Sequence, residues 1–365
     1  MGRVESGPLD ASGSSESQQE QVRNRAREKL QEMINDVKYA LATRPEKDRV
    51  KYPLSSTTKV GNIELTFHDD QTTGTRSHNA AWILRKKLGQ GGFGKCYHWI
   101  KYDTDTNSIL DTVVCKIIDI SEDEWNNRLY WYGDTNNREP IEAILHRRLT
   151  TAKIHGVIEF RGYALDKEKR INKIHIRYAS EGTLDTLIRK FRERKPPVLI
   201  PEPLIWKVAD RLLSTIEGMA DGGGKEEGWV KILHRDFKTP NVALIPGRGG
   251  FSPLLLDFGG ALEMTWDNPQ DYMGIWSRLM AAPEQRLLTL DPPLEFGSHT
   301  DVYGLGAVLY GPVNGTTYYD YPNLVHHPLY AQVNIKPYAL WEFGKHAGPM
   351  PWHISYSQEL YAFVV

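Results

Sequence analysis

Between Gly89 and Gly94 the chain runs Gly-Gln-Gly-Gly-Phe-Gly, and the segments on either side of it decide the fold class. A G-x-G-x-x-G run serves a dinucleotide fold when a strand precedes it and a helix follows. Here the flanks are Trp82 to Leu88 and Cys96 to Tyr102, both with strand character, so the glycines join two strands. A third strand, Thr112 to Ile118, follows the turn residues Asp103 to Ser108, which predicts an antiparallel sheet. Backbone without Cβ can lie close over an anion and donate N–H groups to it. Gly89, Gln90, Gly91, Gly92, Phe93 and Gly94 are therefore a candidate phosphate cradle, with Phe93 at the tip to exclude water.

The third strand ends its apolar run Val113-Val114-Cys115 on Lys116. An ammonium at a strand edge needs no partner, but inside an apolar run an unpaired one is costly. A predicted helix from Glu139 to Leu149 offers Glu142, which its spacing to Leu145 and Leu149 keeps beside the buried face.

Further on, Leu233-His234-Arg235-Asp236-Phe237-Lys238-Thr239-Pro240-Asn241 packs a carboxylate, a lysine and an amide into a few residues. Asp236 and Lys238 alternate, which puts both heads on one side of an extended or turning backbone, and Thr239-Pro240 discourages a helix before Asn241. Each residue alone reads as part of a solvated polar loop. Together they bring a base, a cation and a metal-binding amide over one pocket.

Length and charge bound the partners. The 365 residues suffice for one large or two ordinary domains. With 45 basic against 46 acidic residues, no broad basic surface argues for nucleic acid. Two cysteines, Cys96 and Cys115, give no disulfide framework and suit an intracellular setting, cytoplasmic or nuclear. The longest apolar window, Tyr303 to Val313, is broken by glycine and too short to span a bilayer.

Ahead of these segments, residues 1 to 16 have almost nothing to bury and read as a disordered tail. Ser17 followed by Glu20 makes a capping box, after which Val22, Ala26, Leu30, Met33, Ile34, Val37 and Leu41 recur at helical spacing. The expected amphipathic helix, 17 to 44, either docks a partner or packs its stripe on the domain behind it, and the second reading is preferred. Residues 45 to 81 read as a polar connector with a short strand, Ile63 to Phe67.

Taken in order, Gly89/Gly91/Gly94, Lys116, Glu142, the Asp236 loop, Asp257-Phe258-Gly259, Ala282-Pro283-Glu284 and Asp301-Val302-Tyr303-Gly304-Leu305-Gly306 resemble the eukaryotic protein kinase family, on its serine/threonine branch. The resemblance covers roughly Trp82 to the C-terminus. It implies an α+β, two-lobed fold: a small antiparallel β lobe, about 82 to 179, and a mainly helical large lobe, about 180 to 365, behind the N-terminal helical extension. It further implies ATP and Mg²⁺ as cofactors and a protein as substrate. Lys116 would bind the α- and β-phosphates, with Glu142 holding it. Val114 and Cys96 would cap the adenine, Ile176 would be the gatekeeper, and the main chain of Arg177 and Ala179 would read the adenine edge. Asp257 and Asn241 would hold the metal, Asp236 would accept the proton of the attacking hydroxyl, and Lys238 would neutralise charge on the transferring group.

Other roles follow from the same likeness. Ser277 is expected to contact the catalytic loop and substrate, Arg235 to pair with a phosphate on the segment from Asp257 to Glu284, which holds Thr265 and Tyr272, and Asp301 to bond the catalytic-loop backbone. His234 is expected to be structural. Thr183 and Pro240 stand where kinases preferring basic substrates often carry acids, and Arg177 departs from the usual acidic residue. The glycine-rich stretch Asp221 to Gly228 reads as a surface bulge after a helix from Pro203 to Met219. An arginine partner for Glu284, expected after the final helix 356 to 365, does not follow, so the large lobe reads as truncated and less stable than in complete relatives. The alternative function is a pseudokinase or inactive scaffold that binds nucleotide or a partner protein.

Overall fold

The computed structural model describes residues 13–43, 59–60, 63–64, 80–92, 94–134, 137–224, 227–247, 250–264, 277, 280–286, 295–314, 357 and 359–360. Two lobes and an N-terminal helix make up an α+β architecture. The helix, α1 (Gly13–Thr43), starts about one turn before Ser17. Ser17 and Glu20 therefore lie inside it, and the capping-box pattern does not mark its start. The short hairpin β1 (Lys59–Val60) and β2 (Ile63–Glu64) follows; the rest of the expected connector lies outside the described residues.

The small lobe is built on β3 (Ala80–Gly91), β4 (Gly94–Asp103) and β5 (Ser108–Asp119), with β8 (Phe160–Asp166) and β9 (Ile171–Arg177) completing an antiparallel sheet in the order β3-β4-β5-β9-β8. The glycines do join two strands, with Gly91 opposite Gly94 in the ladder. Gly94 has φ +120°, and a Cβ there would meet the Ile117 carbonyl oxygen at 2.3 Å, so close approach of β5 demands glycine. Met33 and Ile34 of α1 pack against Ile100 and Tyr102 of β4, which is the intramolecular packing preferred from the sequence.

Between β5 and the helix α3 (Ile141–Thr151) lie α2 (Glu122–Asn126) and the hairpin of β6 (Trp131–Tyr132) and β7 (Glu139–Pro140). Glu139 belongs to β7 rather than to the helix predicted from it, because Pro140, with its fixed φ, serves as the N-cap of α3.

The large lobe opens with β10 (Gly182–Thr183) and α4 (Leu184–Arg192) and centres on α5 (Glu202–Asp221). The buried positions Ile205, Val208, Leu212, Ile216 and Met219 of α5 recur at three- and four-residue spacing. They form one core with Leu145 and Leu149 of α3, the strands β12 (Val242–Gly247) and β13 (Gly250–Leu255), and Leu305 and Val308 of the last long helix. Truncating a fully buried leucine such as Leu212 in that core costs about 2–5 kcal/mol. α5 stops at Gly222, left-handed at φ 71°, where a Cβ would meet the Trp229 ring at 2.7 Å. The expected surface bulge thus begins as a buried helix cap. Completing the lobe are β11 (Ile232–Leu233), paired with β14 (Leu262–Glu263), the one-turn α6 (Pro283–Arg286), and the last helix, α7 (Ser298–Asn314).

Candidate active site

β5 carries Lys116 to the edge of the small lobe, where Nζ lies 2.7 Å from Glu142 Oε1 and 2.5 Å from Asp257 Oδ1. One ammonium thus ties together β5, α3 and the turn after β13. Burial alone would lower the Lys116 pKa; Asp257 and Glu142 outweigh it and hold the group above the usual lysine range. Burial also pushes both acids upward. Glu142 stays raised despite Lys116, whereas the closer ammonium, with Lys238 behind it, draws Asp257 below the ordinary carboxylate range. Asp257 is the firmer anion of the two.

The turn from Ile232 to Asn241 is held by hydrogen bonds rather than by packing alone. Asp301, buried on α7, accepts the backbone N–H of His234 and of Arg235, each at 2.8 Å, as expected of it. Those bonds fix Arg235 at φ 62°, a strained region for a side-chain-bearing residue. Asp236 N donates to His234 Nδ1 at 3.2 Å, so the His234 proton sits on Nε2, 3.1 Å from the Leu256 carbonyl. His234, bonded at both ring nitrogens, is structural.

Both oxygens of Asp236 are engaged. Oδ1 accepts from the Ser277 hydroxyl at 2.7 Å and from Ser277 N at 3.1 Å; Oδ2 accepts from Lys238 Nζ at 2.7 Å and from Asn241 Nδ2 at 3.0 Å. Lys238 Nζ also reaches the Ser277 hydroxyl at 2.9 Å. Carboxylate, ammonium and hydroxyl close a triangle. Asn241 Nδ2 donates a second time, to the Asp236 carbonyl at 2.9 Å, so the side chain's acceptor is Oδ1. That oxygen and the Asp257 carboxylate could hold a hard cation whose remaining ligands are phosphate oxygens. Among the described residues no cluster of three or more His, Cys, Asp or Glu side chains could hold an ion alone.

An added Cβ at Gly89, Gly91 or Gly92 would meet nothing within 4 Å. The chain's own packing therefore does not require glycine at these three positions, which suits a surface that a ligand approaches closely. Phe93 lies outside the described residues, as do Thr265 and Tyr272. Val114 is buried two residues before Lys116, and Cys96 sits opposite Lys116 in the β4–β5 ladder. Burial pushes the Cys96 thiol up to about 11, so it is a packing group and not a thiolate. Ile176 pairs with Val114 across β5 and β9. Arg177 N donates to the Glu159 carbonyl at 2.9 Å, so any reading of a ligand edge by Arg177 falls to its carbonyl; Ala179 follows two residues later.

Arg235 is buried and donates Nε to the Gly260 carbonyl at 2.8 Å, while Gln285 Nε2 donates to the Arg235 carbonyl at 2.9 Å. Gln285 did not stand out in the sequence. Nor did His146, whose ring lies 4.6 Å from that of Phe258 and 5.3 Å from that of Phe160. With His234 5.0 Å from Phe258, four rings run in a column from β8 through α3 to the turn from Ile232 to Asn241. Its signal was available: His146 follows Glu142 by one helical turn, on the same face. Glu284 is buried with Oε1 unbonded, and His299 Nε2 lies 3.5 Å away. A histidine thus stands at the carboxylate for which no arginine was found.

Comparisons with known proteins agree with this geometry. A family model described as "Protein kinase domain" matches residues 82–364. The chain is similar to serine/threonine-protein kinase prk-2 of Caenorhabditis elegans, 24% identical over 254 residues, covering 70% of this chain and 50% of that protein. It is also similar to cysteine-rich receptor-like protein kinase 1 of Arabidopsis thaliana, 26% over 235 residues, covering 63% and 31% respectively. A third relative is the inhibitor of nuclear factor kappa-B kinase subunit alpha of Danio rerio, 23% over 199 residues, covering 54% and 22%. The chain spans half or less of the length of each.

Proposed function

The chain belongs to the protein kinase family, and on that premise we propose that it transfers the γ-phosphoryl group of ATP to a serine or threonine hydroxyl of a protein. The observation that carries this reading is the bridge made by Lys116, which meets Glu142 and Asp257 at once and so sets the phosphate-binding and metal-binding groups in register. ATP would supply the phosphoryl group, and Mg²⁺ would offset the charge of its phosphates.

The chain's residues do the positioning. Lys116 holds the α- and β-phosphates, kept in place by Glu142. Asp257 and Asn241 Oδ1 hold the cation. Gly89 to Gly94 lay backbone over the phosphates, while Cys96, Val114 and Ile176, with the main chain of Arg177 and Ala179, enclose the adenine. Asp236 takes the proton of the attacking hydroxyl, and Lys238 offsets charge on the group in transit. Little covalent work falls to the protein, so placement and electrostatics dominate. The Asp236–Lys238–Ser277 triangle supports the serine/threonine reading, since it sets a hydroxyl beside both catalytic groups. We assign the small lobe to about 82–179 and the large lobe to about 180–365. An intracellular setting is proposed on the two unpaired thiols, Cys96 and Cys115.

The test is Mg²⁺-dependent transfer of labelled γ-phosphate to the protein itself and to generic protein substrates, beside Asp236→Ala, with the labelled amino acid identified. Transfer on serine or threonine, falling about 10²–10⁴-fold in the variant, is the expected result. Wild-type transfer no higher than the variant's, with ATP still bound, leaves a nucleotide-binding scaffold.

A further inference from the structure

The stretch joining the Lys116 strand to the Glu142 helix takes no part in the chemistry above, yet it is closely built. α2 opens on a true capping box: the Ser121 hydroxyl accepts from Glu124 N at 3.2 Å, and Glu124 Oε2 accepts from Ser121 N at 2.8 Å. Trp125 and Trp131 meet edge to face with ring centroids 5.0 Å apart. The Arg138 guanidinium lies 4.1 Å from the Trp125 centroid and 5.1 Å from that of Trp131, and its Nη1 donates to the Trp125 carbonyl at 2.5 Å. Trp131 Nε1 donates to the Glu124 carbonyl at 3.0 Å. A cation set against two indoles and bonded to backbone gives a hairpin this small a defined shape.

The unit is moored to the sheet at both ends. At its start, Ile120 N donates to the Arg170 carbonyl at 2.9 Å, in the turn between β8 and β9. At its end, the hydroxyl of Tyr163, a buried residue of β8, donates to Glu139 Oε1. Glu139 is followed by Pro140, the N-cap of α3, which makes no side-chain capping bond and pairs instead with Trp131 across the hairpin. The beginning of α3 is therefore set by the hairpin and by Tyr163. Glu142 is the second residue of α3, just past that N-cap, so the contacts that fix Glu139 also set the start of the helix that brings this carboxylate to Lys116.

We propose that Arg138, Glu139 and Tyr163 are positioning residues of a built-in clip, which holds the first turn of α3 against the sheet so that Glu142 meets Lys116 without help from a bound partner. The kinetic consequence rests on the phosphoryl-transfer reading; the structural one does not.

Tyr163→Phe removes one hydroxyl and keeps the buried ring, Arg138→Ala dissolves the stack, and Arg138→Lys restores a cation over the indoles. In the full chain, amide hydrogen exchange over residues 141–146 is expected to quicken about tenfold in the first two variants, with α5 unchanged as the internal control for global stability. With transfer measurable, kcat/KM for ATP falls about tenfold alongside, and Arg138→Lys recovers most of both effects. Unchanged exchange in α3 for both Tyr163→Phe and Arg138→Ala overturns the clip, as does exchange that rises equally in α5. A wild-type chain without transfer would sink the functional reading while the exchange result still decides the clip.

Discussion

Ser277 donates its hydroxyl to Asp236 Oδ1 at 2.7 Å and accepts from Lys238 Nζ at 2.9 Å, so one hydroxyl orients both the carboxylate and the ammonium. Ser277→Ala removes that link and leaves Asp236 with its bonds from Lys238, Asn241 and the backbone N–H of residue 277. Transfer is expected to fall about tenfold, the worth of one lost charged hydrogen bond, and Ser277→Thr to keep most of it. Steady-state kinetics on a single protein substrate read the difference.

Lys116→Met takes away the cation between two buried carboxylates. The folded state is expected to lose about 3–5 kcal/mol by denaturant titration near neutral pH, unless one acid takes up a proton. The pH dependence distinguishes the two states of the site. In the wild type the depressed Asp257 contributes stability that is present above the unfolded carboxylate value and lost as pH falls through its lower folded value. The raised Lys116 contributes stability present below the unfolded lysine value and lost as pH rises through its higher folded value. In the variant, burial without a cation raises both acids, so their own contribution instead grows as pH falls through the carboxylate range and the acid limb becomes shallower than in the wild type. A variant whose acid limb is as steep as that of the wild type contradicts this account.

The glycines of the β3–β4 hairpin separate into two kinds. Gly94→Ala forces a side chain into φ +120° and against the Ile117 carbonyl, which is expected to cost about 1–3 kcal/mol and lower the melting temperature. Gly91→Ala meets nothing within 4 Å; the fold should hold while ATP binds more weakly. Melting and nucleotide titration on the two variants, side by side, check the split.

Burial pulls the His146 pKa down to about 4 against the pull of its bond to the Ile158 carbonyl at 2.7 Å, and burial also pulls His175 to about 4 and His98 to about 3. Below the ordinary histidine value of about 6.5, the unfolded chain takes up protons that the folded one does not, so stability falls as pH drops toward these folded values, by about 1.4 kcal/mol per unit for each imidazole. His146→Leu is expected to cost about 1–3 kcal/mol at neutral pH, through the unpaired Ile158 carbonyl, and to flatten the acid limb by one proton's worth of slope. Denaturation midpoints across the acid range measure both.

Much of the site could be read from the sequence because the chemistry fixes residue types at positions that stay in order: Lys116 and Glu142, the Asp236 turn, and Asp257 after an apolar strand. Asp301 was legible for the same reason. What escaped depends on contacts that leave no periodic trace. The stacking of Arg138 between Trp125 and Trp131 and the bond from Gln285 to Arg235 join side chains by geometry that spacing does not encode. The start of α1 was misplaced because Ser-x-x-Glu can also stand in the interior of a helix, so the pattern alone does not mark a first turn. Pro140 moved Glu139 out of its predicted helix, since proline tolerated at a helix start also marks where the preceding strand ends.

Arg85, on β3, has a side chain only 4% exposed, between Glu32 at 3.0 Å and Asp36 at 2.7 Å on α1. Lys29 of the same helix reaches the Ser180 carbonyl at 2.9 Å and Glu181 at 2.5 Å, just past the last strand of the small lobe. The family match begins at residue 82, whereas the packing of this fold begins earlier, on α1. A fragment cut at that boundary would keep every inherited motif yet lose the helix that pairs Arg85 and helps to cover Ile100 and Tyr102, so the span the family shares and the span that packs together are, in this chain, two different lengths of polypeptide.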